Sequence, residues 1–246
     1  MNPVVRSAIE TAVVAAVAAP LIAIGMWRSR VRAWAPLVAV LGLLALDNLV
    51  LRLPRVGPFA SLQWNWQGKL LEVAWVLVLV AAAPRLSLRD IGVTAPLRPG
   101  WRGPTLLLGG VTLALPLAFM LLGARDTLTL EGWCFEATMP GIAEELVYRG
   151  VLLELCDRAL GRPWRIAGAD VGWGTVVTAV LFAAAHAIAV DRSGALQVEP
   201  LVAAGPFVGS LLAGWARSRL GSLAPLIIIH NASNLVIPLA TLWLST

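Results

Sequence analysis

Residues 104–123 read PTLLLGGVTLALPLAFMLLG, an apolar run without a charged side chain. An α-helix rises about 1.5 Å per residue, so a run of about 20 residues crosses a hydrocarbon core about 30 Å thick. The run is therefore typical of a transmembrane helix.

The composition of the whole chain agrees with this interpretation. Of its 246 residues, 59% are hydrophobic and 13% are charged, and the mean hydropathy is +0.80. A soluble domain carries about 25% charged residues. The composition therefore excludes a soluble enzyme and predicts a protein that crosses the membrane several times.

Similar apolar runs repeat along the chain, separated by short charged or Pro/Gly-rich segments. The runs are 8–27, 33–51, 66–83, 104–123, 133–157, 172–190, 200–216 and 222–243. We expect an all-α polytopic bundle of about eight transmembrane helices. The connections are too short for an extramembrane domain, so residues 1–246 are predicted to form a single integral membrane domain.

The basic residues are predicted to set the topology of the bundle. A net charge of +5 and a pI near 10.5 can indicate a nucleic-acid partner, but almost all of the basic residues lie between apolar runs, and they form no basic helix face. With the N-terminus outside, the inner segments hold Arg28, Arg30, Arg32, Arg85, Arg89, Arg98, Arg102, Arg158, Arg162, Arg165, Arg217 and Arg219. The outer segments hold only Arg6, Arg52, Arg55, Lys69, Arg125 and Arg192. The positive-inside rule therefore favours both termini outside, and no nucleic-acid partner is expected.

The fifth run holds the densest set of ionisable residues, in PGIAEELVYR at 140–149. A charge inside a span costs about 2.5–3.5 kcal/mol on insertion scales, so these residues are candidates for function. Glu145 and Arg149 share a helix face and can pair, whereas Glu144 points about 100° away and is left free to take a proton. The alternative is that both acids make ordinary interhelical hydrogen bonds. Pro140 suits a first helical turn or a local break.

Two histidines lie inside later runs, each in register with a second residue. Phe182 and His186 are four residues apart across a run of alanines, and His230 and Asn234 are also four apart. A single membrane histidine is more often a packing residue. Two histidines together with an acid pair and an asparagine instead indicate a reactive site.

The remaining embedded polar residues have no partner pattern. Asp47 and Asn48, Glu72 and Glu10 are interpreted as helix contacts or cavity-lining groups. Glu136 lies eight residues before Glu144, on nearly the same helix face, and is the strongest rival acid. Cys134 and Cys156 belong to no Cys-x-x-Cys pair, so neither a redox role nor a zinc role is indicated.

These motifs resemble the CPBP family, also called Abi or CAAX-protease-like, which includes the Ras-converting CAAX endopeptidases. The resemblance rests on Glu-Glu-x-x-x-Arg at 144–149, Phe-x-x-x-His at 182–186 and His-x-x-x-Asn at 230–234, in that order in the fifth, sixth and eighth runs. It covers roughly residues 85–243, with flanks at 90–92 and 221–225. Residues 1–84 match only as three generic spans, so 85–246 is the expected protease core.

The resemblance implies an eight-span intramembrane endopeptidase that hydrolyses a membrane-associated peptide or protein tail. It implies that Glu144 and His186 activate water and that His230 and Asn234 face the oxyanion, with Glu145, Arg149 and Phe182 in supporting roles. We favour a metal-free glutamate mechanism because the chain has no His-Glu-x-x-His helix. Zinc is the alternative cofactor, with Glu144, His186 and His230 as its ligands.

Two other functional classes compete with the protease. One is a non-proteolytic scaffold or immunity protein that binds a membrane partner, and the other is a small proton-coupled transporter. The motifs argue against the first, and the absence of evident inverted repeats argues against the second. The high Ala, Arg and Trp content suggests a GC-rich bacterial genome, so we expect a multi-pass protein of the bacterial inner membrane with substrates other than prenylated tails.

Overall fold

The computed structural model describes residues 1–30, 34–191 and 193–245, and these residues are mostly helical, which confirms the all-α class. The α-helices are α1 (Pro3–Ser29), α2 (Ala35–Leu51), α3 (Trp66–Ala82), α4 (Arg102–Leu121), α5 (Leu130–Glu136), α6 (Met139–Glu144), α7 (Leu153–Leu160), α8 (Trp173–Ala187), α9 (Pro200–Leu220), α10 (Ala224–Asn234) and α11 (Val236–Leu244). A 3₁₀ turn covers Gly57–Phe59, and a π-helical segment covers Glu145–Leu152. Two small antiparallel hairpins, which the sequence did not predict, pair β1 (Trp164–Ile166) with β2 (Ala169–Val171) and β3 (Ile188–Val190) with β4 (Leu196–Val198).

Each predicted apolar run is mostly helical where it is described. The fifth is divided among α5, α6, the π segment and α7, and the sixth continues from α8 into β3. Within the described residues, α1, α4 and the α10–α11 run (Ala224–Leu244) are long and apolar enough to cross a membrane. Helices α2 and α8 are apolar but shorter, at 17 and 15 residues. The protein is an integral membrane protein, and the count of eight spans stays a prediction.

The fifth predicted run is not a single regular helix. Helix α5 ends at Glu136, and α6 begins at Met139 with Pro140 in its first turn, as proline's missing N–H allows. The expectation of one continuous helix over 133–157 is therefore wrong. The helix then widens into the π-helical segment, where Leu153 N donates to Tyr148 O five residues earlier. Such π segments frequently occur at functional sites.

The first three helices pack directly against the motif-bearing part of the chain. Helix α1 packs on α8, α2 on α7, and α3 on both α6 and the π segment. The tightest pairing joins α8 and α9, where a Cβ on Gly214 would lie 2.7 Å from Thr175 Cγ2. Small residues thus let these two backbones approach closely, as in other membrane helix pairs.

Several of the predicted inner arginines, among them Arg98, Arg158 and Arg217, lie at one end of the bundle. There Arg217 donates to Asp90 O at 2.7 Å and Arg98 to Ser218 O at 2.6 Å. The Ser87 hydroxyl donates to Asp90 and, with the nearby guanidinium of Arg158, lowers the pKa of that carboxyl. The sidedness of this end stays a prediction, and Arg32 and Arg192 lie outside the described residues.

The opposite end of the bundle carries a second set of polar contacts. Glu10 forms an ion pair with Arg52, and Val190 N donates to Glu10 Oε1 at 2.5 Å. Glu10 is therefore an interhelical contact, as the sequence indicated. Cys134 and Cys156 are both free thiols.

Candidate active site

Glu145 is held by two cationic or polar groups in the protein interior. Arg149 Nη1 lies 3.2 Å from Glu145 Oε1, with each side chain 3% exposed, so the predicted ion pair is present. His230 Nδ1 lies 2.8 Å from the same oxygen. The guanidinium carbon of Arg149 lies 4.2 Å from the ring centre of Phe182, within the range of a cation–π contact. Glu145 therefore orients His230, and Phe182 supports Arg149.

One carboxylate oxygen of Glu144 accepts a hydrogen bond, and the other is open to a further donor. Lys69 Nζ lies 3.0 Å from Oε1, and His230 Nε2 lies 3.6 Å from Oε2. Among the described residues, Oε2 has no hydrogen-bond partner. Glu144 is thus paired with Lys69, which the sequence had suggested only as one of the basic residues that set the topology. Lys69 is 8% exposed because it lies in the first turn of α3, which packs on α6.

Further buried acids surround Lys69. Its ammonium lies 2.8 Å from Glu72 Oε2, so Glu72 has a specific partner that its sequence context did not reveal. Asp47, from α2, is 2% exposed and lines the same cavity as Lys69, Glu72 and Glu144. Three carboxylates from three helices therefore line one cavity with the Lys69 ammonium, and two of them contact it.

The hydrogen bond of His186 indicates which ring nitrogen is available for chemistry. Its Nδ1 lies 2.8 Å from Phe182 O, one helical turn earlier. A carbonyl oxygen accepts only, so Nδ1 carries hydrogen in this contact and Nε2 of the neutral ring keeps its lone pair. Nε2 is therefore the atom that can accept a proton. The rings of Phe182 and His186 also pack with centroids 4.3 Å apart.

Asn234 is positioned by the rival acid, Glu136. Its Nδ2 donates to Glu136 Oε2 at 2.8 Å, which joins the end of α10 to the end of α5. An amide nitrogen carries two hydrogens, so one remains for another acceptor. The spacing of eight residues from Glu144 gave no sign of this contact, because the chain turns between α5 and α6.

A second asparagine fixes the start of α6. Asn231 Oδ1 accepts from Gly141 N at 2.7 Å, and its Nδ2 donates to Thr138 O at 3.1 Å. Asn231 thus satisfies backbone groups at the helix start three residues before Glu144. The sequence pattern around Asn231 gave no sign of this contact.

Two cavities meet at Phe182 and His186. The first has a volume of about 310 Å³, lies mainly among α4, α8, α9 and α10, and is lined by Glu145, Arg149, His230 and Asn234 together with many apolar side chains. The second has a volume of about 230 Å³ and is lined mainly by polar groups, including Lys69 and Glu144. Phe182 and His186 line both. The predicted site residues therefore converge on one region, with Glu144 on the polar side and Asn234 on the apolar side.

Gly141 is predicted to be intolerant of any side chain. A Cβ there would lie 2.4 Å from Asn231 Oδ1 and 2.7 Å from Ile227 O. We expect Gly141→Ala to lower the free energy of unfolding by about 1–3 kcal/mol, because the helices must separate. The thermal midpoint in detergent would measure this loss. Gly42→Ala is the control, since no atom lies within 4 Å of its added Cβ, and equal midpoints for the two variants would contradict the prediction.

Among the residues at 1–30, 34–191 and 193–245, no group of three or more His, Cys, Asp and Glu side chains is arranged to hold a metal ion. The alternative zinc ligands are Glu144, His186 and His230. Glu144 Oε1 faces the Lys69 ammonium, and His230 Nδ1 faces Glu145. The Lys69 ammonium would repel a cation bound at Glu144 Oε1, which argues against zinc at that oxygen. The contact of His230 Nδ1 with Glu145 leaves Nε2 available and carries no such argument.

Comparison with protein families agrees with the resemblance drawn from the motifs. Residues 127–236 match the family model described as Rce1-like, type II CAAX prenyl endopeptidase. The matched segment contains all the motif residues, from Glu144 to Asn234, and is narrower than the 85–243 expected. No curated protein and no solved structure gives a significant match to the chain.

Proposed function

We propose, from the premise that residues 127–236 match the CAAX prenyl endopeptidase family, that the protein is an intramembrane endopeptidase. It hydrolyses a peptide bond of a membrane-associated peptide or protein tail. The observation that carries the proposal is the open oxygen of Glu144, which is buried, unpartnered among the described residues, and adjacent to His230.

Glu144 is the base in this proposal. Peptide hydrolysis needs a group that takes a proton from water and later returns one to the leaving amine. Lys69 holds Oε1, so Oε2 is the atom that receives the proton. His186 lines the same polar cavity, where its Nε2 helps to orient the water and share its proton.

His230 and Asn234 stabilise the oxyanion that forms as water attacks the carbonyl. Both line the larger cavity, and each is held by a carboxylate, His230 by Glu145 and Asn234 by Glu136. Fixed donors directed at a developing negative charge contribute about 10²- to 10³-fold each in rate. With Nδ1 donating to Glu145, His230 offers a donor at Nε2 when its ring is protonated.

The larger cavity is the proposed substrate site. Its walls from α4 and α9 are mostly apolar, and they include Leu108, Leu115, Pro116, Phe119 and Pro206. Such a surface suits the apolar part of a membrane-anchored tail, while the polar groups face the scissile bond. The name of the matched family points to a prenylated CAAX tail, and other lipid-anchored or membrane-anchored tails have the same chemistry.

Chelation tests the metal-free mechanism that we propose. Because the Lys69 ammonium contacts Glu144 and would repel a metal cation there, we expect activity to survive dialysis against EDTA and 1,10-phenanthroline. Cleavage would be measured before and after dialysis, together with the zinc content of the purified protein. Activity that is lost on dialysis and restored only by zinc would overturn the metal-free mechanism while leaving the protease assignment intact.

Membrane proteomics tests the function itself. Cells that carry the wild-type protein and cells that carry Glu144→Gln would be compared for a tail or leader that stays uncleaved only in the variant. Glu154→Gln is the matched control, because Glu154 lies on α7 and pairs with Arg158 and Arg162 away from the site. Identical peptide termini in all three strains would contradict the proposed function.

A further inference from the structure

We propose that Lys69 is a positioning residue for Glu144, so that α3, which lies outside the matched family segment, completes the active site. The inference rests on the proposed function and concerns how the base is held. It assigns a specific role to part of the first 84 residues, which the sequence describes only as generic spans.

Lys69 and Glu144 are in direct contact. Lys69 Nζ lies 3.0 Å from Glu144 Oε1, and the two side chains are 11% and 15% exposed. Within the described part of the chain, no other Lys or Arg lies within ion-pair distance of Glu144. Lys69 is also the only lysine of the protein.

Lys69 binds only one of the two carboxylate oxygens of Glu144. A free carboxylate has two equivalent oxygens and rotates between them. With Oε1 bound by the ammonium, Oε2 is left on the side of His230 Nε2, at 3.6 Å. A base acts only when the accepting atom lies within hydrogen-bond reach of the proton, so fixing this rotation affects the rate.

The Lys69 ammonium is also held by a second carboxylate, that of Glu72. Glu72 Oε2, one turn along α3, lies 2.8 Å from Lys69 Nζ. The first turn of α3 is also capped, since Asn65 Oδ1 accepts from Gly68 N at 3.1 Å. A long flexible lysine side chain is thus immobilised between two carboxylates, which makes it suited to hold Glu144.

A charge balance explains why this cation is required here. Asp47, Glu72 and Glu144 line one cavity with Lys69, and like charges in a poorly solvated space repel each other. Removing Lys69 alone leaves these acids without their shared counterion, which threatens folding. The test therefore includes a variant in which Glu72 is neutralised as well.

The kinetic test uses purified protein in liposomes and an internally quenched peptide with a farnesylated C-terminal CAAX sequence. The variants are Lys69→Met, Lys69→Met/Glu72→Gln and Lys69→Arg. We expect both neutral variants to lose about 10- to 100-fold in kcat per folded molecule with KM unchanged, because the base is misplaced and the substrate cavity is not. Lys69→Arg should recover a large part of kcat, since it restores the cation.

Two kinetic outcomes would overturn the proposal. One is a folded neutral variant with the kcat of the wild type, and the other is Lys69→Arg with no more kcat than Lys69→Met. A purely structural lysine would lower the folded fraction and leave the kcat of the remaining folded molecules unchanged.

A stability cycle tests the contact without any substrate. The thermal midpoints of wild type, Lys69→Met, Glu144→Leu and the double variant would be compared, because Glu144→Leu leaves no acceptor for Lys69. We expect Lys69→Met to lower the midpoint less in the Glu144→Leu background. Equal losses in the two backgrounds would overturn the contact.

The two experiments separate this proposal from the proposed function. A wild-type protein that does not cleave this peptide counts against a farnesylated CAAX tail as the substrate, whereas a Glu144→Gln variant that does cleave it counts against the proposed function. In both cases the stability cycle still decides the contact. An inactive Glu144→Gln variant together with fully active neutral Lys69 variants counts against the role of Lys69 alone.

Discussion

Glu144→Gln is expected to lower kcat for peptide cleavage by about 10²- to 10⁴-fold, the usual contribution of a general base. Glutamine has the size of glutamate. Its amide oxygen can still accept a hydrogen bond from Lys69, in place of the ion pair that spans 3.0 Å in the wild type. What is lost is the ability of the open oxygen to take a proton. The protein should therefore insert and fold while its chemistry stops.

Single-turnover cleavage of the quenched peptide in liposomes measures this loss, and the thermal midpoint confirms folding. Glu154→Gln is again the control, because it neutralises a carboxylate that pairs with Arg158 and lines neither of the two cavities. If Glu144→Gln folds and cleaves at the wild-type rate, the glutamate mechanism is wrong. A cellular function that survives in this variant would instead favour a non-proteolytic scaffold or immunity protein.

His186 is expected to give the second-largest loss, about 10²-fold or more in kcat on replacement by alanine. Its Nδ1 is occupied by Phe182 O at 2.8 Å, so Nε2 is the reactive atom. Two further variants separate these atoms. His186→Asn keeps a donor near the Nδ1 position and removes Nε2, whereas His186→Gln keeps a polar group near the Nε2 position without its basicity.

We expect His186→Asn and His186→Gln both to be as inactive as His186→Ala, because proton transfer needs the imidazole. The dependence of kcat on each replacement would be measured with the same peptide. Substantial activity in His186→Gln would show that Nε2 only orients water through a hydrogen bond. Substantial activity in His186→Asn would show that the contact with Phe182 O is what matters, and would remove His186 from the chemistry.

Most of the fold could be predicted from local sequence. A helix in a membrane satisfies its own backbone hydrogen bonds, so a run of about 20 apolar residues such as 104–123 is sufficient evidence for one. The pair Glu145–Arg149 was predictable for the same reason, since four residues along a helix bring two side chains together. The motif order then predicted which polar residues carry the chemistry, and that assignment stays a prediction.

Local spacing failed where the helix is interrupted. The turn after Glu136 places that acid against Asn234 rather than in line with Glu144, and the π segment widens the helix after Glu144. Neither feature has a periodic signal that distinguishes it from a regular span. The two hairpins are similarly short, at three residues per strand.

The sequence by itself determined that this is a helical membrane protein. It also determined that the acids, histidines and asparagine of the three motifs lie in the apolar runs. Only the tertiary structure decided that Lys69, 75 positions before Glu144, is its ion-pair partner, and that Glu145 rather than Glu144 holds His230 at 2.8 Å. The physical reason is the range of the interactions. Helix formation depends on residues within a few positions of each other, whereas an ion pair depends on which helices pack together.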